Sequence, residues 1–248
     1  MPNSLRVKPS PSLASKTTNI LSQYIREKFA DGGKLPGEHE LAERLGVNRG
    51  TLRGALKLLE QEGLIIRKQG DGTYANPHVI GIKTRLDDII EYQELIRASG
   101  YEPQSTILSI ETEEASEEIA DRLNIELRSP LLVVRQVLSA DGNPSIYVED
   151  AIPIKLIKEE YDESELEISV LNFLEEKCFV RLDHTISEIE PCICSDQIAD
   201  ILAMEPCQAV LRTVATCYSE NSEPIMFSRS YYKTSFIRFS IVRKRKYL

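Results

Sequence analysis

Between Ile20 and Gly63 three amphipathic patterns follow one another, and the second and third are separated by almost no chain. Ile20, Leu21, Tyr24, Ile25 and Phe29 recur at helical spacing and end at Asp31-Gly32-Gly33. Glu38 to Leu45 sets Leu41 and Leu45 one turn apart and stops at Gly46. Asn48 then stands where an N-cap is needed, ahead of Leu52, Ala55, Leu56 and Leu59, which share one face up to Gly63. Two helices joined by about three or four residues around a glycine form a helix-turn-helix. The run Leu64 to Lys68, the turn Gln69-Gly70-Asp71-Gly72 and the return Thr73-Tyr74-Ala75 add a hairpin with a glycine tip.

The third helix carries the chemistry on the face that avoids the core. Arg49, Thr51 and Arg53 occupy its first turns. There arginine can pair bidentately with guanine, and threonine can reach phosphate or a thymine methyl. The bland alternative is a solvated face whose arginines pair with Glu38 or Glu43. Charge is compatible with either reading. The chain carries a net −9, yet residues 1–78 hold 12 Lys and Arg against 8 Asp and Glu, so the acid lies in the remainder, at −13.

LPGEHELAERLGVNRGTLRGALKLLEQEGLIIRKQGDGTYA, residues 35–75, resembles the DNA-binding domain of GntR-family bacterial transcription regulators. The LP-x-E-x-x-LA, V-x-R-x-T-[LV]-R-x-AL, L-x-x-x-GL and GxGT[FY] pieces stand in order and in register. The resemblance implies DNA contacts from Arg49, Thr51 and Arg53 and, at the wing tip, from Gly70. Glu38, His39, Asn48 and Gln69 complete the expected DNA-binding set. His39 stands where the family has an arginine and Gly37 where it has a serine, so the operator is not copied from relatives.

Residues 1–14 read as a flexible tail, 15–76 as the winged helix-turn-helix, 77–84 as a linker and 85–248 as a second domain. In that domain a helix is expected over Leu86 to Gly100. Strands are expected at 106–110, 131–138 and 145–152, with a turn at Ala140 to Pro144, and helices at 115–123, near 154–159 and at 168–177. A weak repeat matches Ile119-Ala120-Asp121 with Ile198-Ala199-Asp200 and Val133 to Val137 with Val210 to Val214. Such a pair forms one antiparallel sheet with approximate two-fold symmetry and a cleft near the axis. The layout resembles the UTRA domain of the HutC subfamily, which has a chorismate-lyase-like fold. That implies an α+β chain of two domains whose second binds a small effector and holds a homodimer on a pseudo-palindromic, double-stranded operator. The expected effector contacts are Arg135, Tyr147, Glu149, Arg229 and Tyr231. With Arg212, the arginines point to an anionic or polyhydroxylated ligand. The expected function is that of a repressor released by a metabolite.

Other classes find little footing. No apolar run is long enough for a membrane span, and the N-terminus lacks the apolar segment of a secretory signal, so a cytoplasmic location is expected. Five cysteines without a CxxC pair argue against disulfides, and no metal or cofactor is expected. No GxSxG, Walker loop or HExxH occurs. The alternatives are a chorismate-lyase-like enzyme domain fused to a DNA-binding module and a DNA-binding protein that senses nothing.

Overall fold

The computed structural model describes residues 13–244, which divide into two units, residues 13–85 with 240–244, and residues 86–239. In the first unit α1 (Leu13–Lys28), α2 (Glu38–Leu45) and α3 (Arg49–Glu62) enclose a core of Leu21, Ile25, Leu41, Leu52, Leu56 and Leu59. Residues 1–12 of the expected tail lie outside the described residues. A three-stranded sheet of β1 (Gly33–Lys34), β2 (Ile65–Lys68) and β3 (Gly72–Ala75), in the order β1-β3-β2, forms the wing. Gly72 has φ +136°, a backbone conformation that strains any residue with a Cβ, so the wing turn favours glycine at this position.

The segment after the wing is not a plain linker. Asn76-Pro77 opens a short helix, α4 (Pro77–Ile80), with proline at its first position, and Val79 and Ile80 are buried in the same core. The C-terminal segment also belongs to this unit. Ser240 donates its N–H to the Thr84 carbonyl and bridges in parallel to Arg85, and Val242 packs on the core. Lys244 reaches the Glu60 carbonyl. Gly63 ends α3 at φ +86°, and a Cβ there would meet Lys244 at 3.2 Å and Val242 at 3.5 Å.

The second unit is a six-stranded antiparallel sheet. Its strands are β4 (Pro103–Glu114), β5 (Pro130–Ala140), β6 (Asn143–Pro153), β7 (Leu182–Ile193), β8 (Ala209–Ser219) and β9 (Pro224–Tyr232), in the order β4-β5-β6-β9-β8-β7. The two halves of the repeat are therefore two three-stranded meanders joined through β6 and β9. Four helical patches cover the sheet. One face carries α5 (Tyr92–Ala98) over Leu138, Ile146 and Val148, and the pair α7 (Ser164–Ile168) and α8 (Val170–Lys177) over Leu132, Val134 and Met226. The other carries α6 (Glu117–Leu123) over Val133, Val214 and Phe227, and α9 (Asp196–Ile201) over Tyr147, Val210 and Tyr231.

Two expectations change. The helix expected over residues 86–100 is confined to α5, because Glu91 starts it without a side-chain cap and residues 87–89 are exposed rather than packed. Near 154–159 only a 3₁₀ turn forms, Ile154–Leu156, directly after the strand-ending Pro153.

Candidate DNA interface and effector site

Asn48 starts α3 as expected, its Oδ1 accepting the Thr51 backbone N–H at 2.8 Å and lying 3.2 Å from the Thr51 hydroxyl. That cap orients the first turn, where Arg49 and Arg53 are exposed and Thr51 is half-buried. Arg53 donates from Nε to Glu38 Oε2 at 2.9 Å, and Arg67 of the wing donates to Glu38 Oε1 at 2.8 Å. One carboxylate thus positions guanidinium groups from two different elements, a role for Arg67 that the sequence did not disclose. The bland pairing of Arg53 with Glu38 is realised, and both arginines remain accessible around it. His39 lies 3.7 Å from Glu43 on the exposed side of α2. Gly37 caps α2 with no side-chain hydrogen bond, as its replacement of serine requires.

At the wing, Gln69 and Gly70 are exposed at the tip, and Gly70 has open space where a side chain would stand. Asp71 accepts from the Tyr74 hydroxyl at 2.9 Å and from Lys34 at 3.2 Å. Those bonds hold its carboxyl below the ordinary aspartate range, the Tyr74 bond most strongly. Lys68 lies over the Tyr74 ring at 4.5 Å. An anchored acid and tyrosine therefore stiffen a strip on which Lys34, Lys68 and Arg67 stand beside α3, a distribution suited to a phosphate backbone.

In the sheet unit the five expected effector residues do come together, on the face covered by α6 and α9. Arg135, Glu149 and Arg229 stand in one cross-strand row, and Tyr147 stacks on Tyr231 with ring centroids 5.8 Å apart. Their polar atoms are largely matched internally. Arg135 meets Glu111 at 2.9 Å and Glu113 at 2.7 Å, Arg229 meets Glu118 at 3.0 Å and Glu149 at 3.8 Å, and Arg212 meets Glu190. The Tyr147 hydroxyl donates to Glu149 at 2.9 Å. One buried donor, Arg229 Nε, has no partner.

The opposite face holds a polar cluster that the sequence gave no reason to single out. A band of buried polar side chains, Gln136, Asp150, Thr213, Ser228 and Ser230, crosses it between the apolar patches under α5 and α7/α8. Asp150 and Ser228 are direct cross-strand partners, 2% and 5% exposed, and Asp150 Oδ1 and Ser228 Oγ make no hydrogen bond. The band is rimmed by the Tyr92 hydroxyl, 2.8 Å from Ser230 Oγ, and by Glu91, which accepts from Ser169 at 2.6 Å. Burial raises the Asp150 carboxyl to about 7; Glu91 and Glu149 add to this, while the nearby Ser228 hydroxyl favours the charged form without reaching normal hydrogen-bond geometry. Unmatched buried acceptors are expensive in a folded core, and they mark where a ligand donor would be most useful.

A winged helix-turn-helix followed by a two-faced sheet with a buried polar band defines a DNA-binding regulator with a separate ligand domain. The chain belongs to that class by family: residues 13–75 match the bacterial regulatory proteins of the gntR family and residues 98–238 match the UTRA domain. It is similar to the HTH-type transcriptional repressor NagR of Bacillus subtilis, 27% identical over 80% of this chain and 81% of that one. It is also similar to the mannosyl-D-glycerate transport/metabolism system repressor MngR of Escherichia coli, 23% identical over 92% and 93%. Among solved structures, the possible transcriptional regulator YydK of Bacillus subtilis shares the fold at a TM-score of 0.74 and 18% identity, covering 93% of this chain and 99% of that one.

No helix among the described residues is long and apolar enough to cross a membrane. The described residues contain no His, Cys, Asp and Glu grouping able to hold a metal ion.

Proposed function

We propose that the protein is a repressor that binds a two-half-site operator as a homodimer in the cytoplasm and is released by a small molecule taken up in the sheet unit. The observation that carries this is the Asn48-capped first turn of α3, with Arg49, Thr51 and Arg53 presented beside an open glycine wing tip. In this reading Arg49 and Arg53 reach base edges and Thr51 a phosphate or thymine methyl. Gln69 and Gly70 approach the sugar-phosphate backbone, Glu38 holds Arg53 in place, Asn48 fixes the helix turn that carries Arg49 and Thr51, and His39 offers a weaker phosphate contact than arginine would. The repressor assignment is supported by relatives bearing that name. Regulation rather than catalysis is the work assigned to both units.

The effector is placed in the polar band around Asp150, because there the unmatched acceptors are ligand-ready, whereas an anion on the arginine face would have to displace glutamates already in contact. A second reading keeps the site at Arg135, Tyr147, Glu149, Arg229 and Tyr231, and the unmatched Arg229 Nε favours it. The test of the function is anisotropy with a duplex selected from a random library. Arg49→Ala and Arg53→Ala should each weaken binding by about 1 to 3 kcal/mol; wild-type affinity in both variants overturns the recognition-helix assignment.

A further inference from the structure

We propose that the effector is a small protonated amine, its nitrogen held between the Asp150 carboxylate and the Ser228 hydroxyl. This rests on the reading of the polar band as the effector site and names the chemistry of its ligand. Asp150 and Ser228 face each other across β6 and β9, are more than nine-tenths buried, and each leaves an oxygen without a partner. The carboxylate oxygen accepts and the hydroxyl both accepts and donates, so an ammonium group between them would supply a donor to each oxygen.

The surroundings favour a cation. The groups acting on Asp150 from the packed elements are Glu91, ahead of α5, and Glu149 of its own strand, with Ser228 on β9. Tyr92 of α5, Tyr232 of β9 and Cys217 of β8 face it as well, and Asp150 acts on each. No Lys or Arg is among them, whereas Arg135, Arg212 and Arg229 alternate onto the other face and meet glutamates there. An anion entering the band would meet two carboxylates, Asp150 and Glu91. The Tyr92 and Tyr232 rings, with centroids 6.5 Å apart, border the band and bring no positive charge to it. Without ligand the carboxyl lowers the cost of its burial by holding a proton near neutral pH, and the amine takes that proton's place.

The experiment uses the full chain with its selected operator. Glucosamine, putrescine, tyramine and histamine are compared with glucose 6-phosphate, citrate and benzoate, reading both operator release and thermal shift. The proposal expects release and stabilisation by at least one amine, an apparent affinity that falls as pH drops through about 7, and a loss of tenfold or more in both Asp150→Asn and Ser228→Ala. A panel in which no amine acts overturns it, as does an amine response of equal strength in wild type and both variants. If anions act instead and Arg135→Ala abolishes their effect, release by an effector stands, while the polar-band site and the amine assignment both fall; if anions act and only Asp150→Asn or Ser228→Ala alters their effect, the polar-band site stands and the amine assignment alone falls. If neither class acts, both fall.

Discussion

Replacing Asp150 by asparagine should remove a pH dependence of stability that the structure assigns to one carboxyl. Its proton affinity rises from the ordinary aspartate value of 3.8 to about 7 on folding, chiefly through burial. At about 1.4 kcal/mol per tenfold change, ionising it in the folded state costs about 4 kcal/mol more than in the unfolded chain. The sign follows from proton counting. The folded state binds the extra proton between the two values, so the contribution to stability is complete below about 4 and is lost as pH rises through about 7. From about pH 5 to about pH 8, wild type should lose about 3 kcal/mol relative to Asp150→Asn, which has no carboxyl to ionise. Urea unfolding of the full chain, followed by near-ultraviolet circular dichroism, reads the relevant unit, since seven of the ten tyrosines lie between residues 86 and 239. Parallel pH profiles for the two proteins would refute the burial argument.

Glu38→Gln should lower operator affinity by about 1 kcal/mol although Glu38 need not touch DNA, because it holds both Arg53 and Arg67; anisotropy beside Arg67→Ala checks this, and unchanged affinity contradicts it. Val242→Ala should destabilise the winged unit by about 1 kcal/mol, since this C-terminal residue packs on its core; amide exchange in α3 is the measure, and unaltered protection would mean the segment is dispensable. Native labelling with a thiol reagent should reach exposed Cys207 and half-exposed Cys192. Cys178 and Cys217 should resist, because burial raises their thiols to about 11 and about 12. Rapid reaction at Cys217 would show that the sheet opens more readily than its packing implies.

The DNA-binding unit was legible because its signals are local. A cap at Asn48, stops at Gly46 and Gly63, and a wing turn at residues 69–72 each act within a few residues of themselves. The repeat was legible too, since its halves become neighbouring meanders in one sheet. The Asn76-Pro77 start of α4 was written in the sequence but masked by the turn propensity of the same dipeptide. The buried polar band was not legible, and the reason is register. Sequence reasoning singled out Glu149 and Arg229, whereas Asp150 and Ser228, one residue away on each strand, point to the other face. Which acid stays unmatched depends on strands about 80 residues apart, and no local pattern carries that pairing. The glutamates that neutralise Arg135 come from β4, and they too are visible only once the strands are aligned.

DNA recognition by α3 and release by a ligand in the sheet are tested together by footprinting of the full chain on its operator. Wild type should protect two short half-sites related by a dyad. Arg49→Ala should lose that protection at equal concentration, and an amine that stabilises wild type should erase it in wild type but not in Asp150→Asn. Unchanged protection with Arg49→Ala, or a footprint indifferent to every ligand that stabilises the protein, would contradict the account.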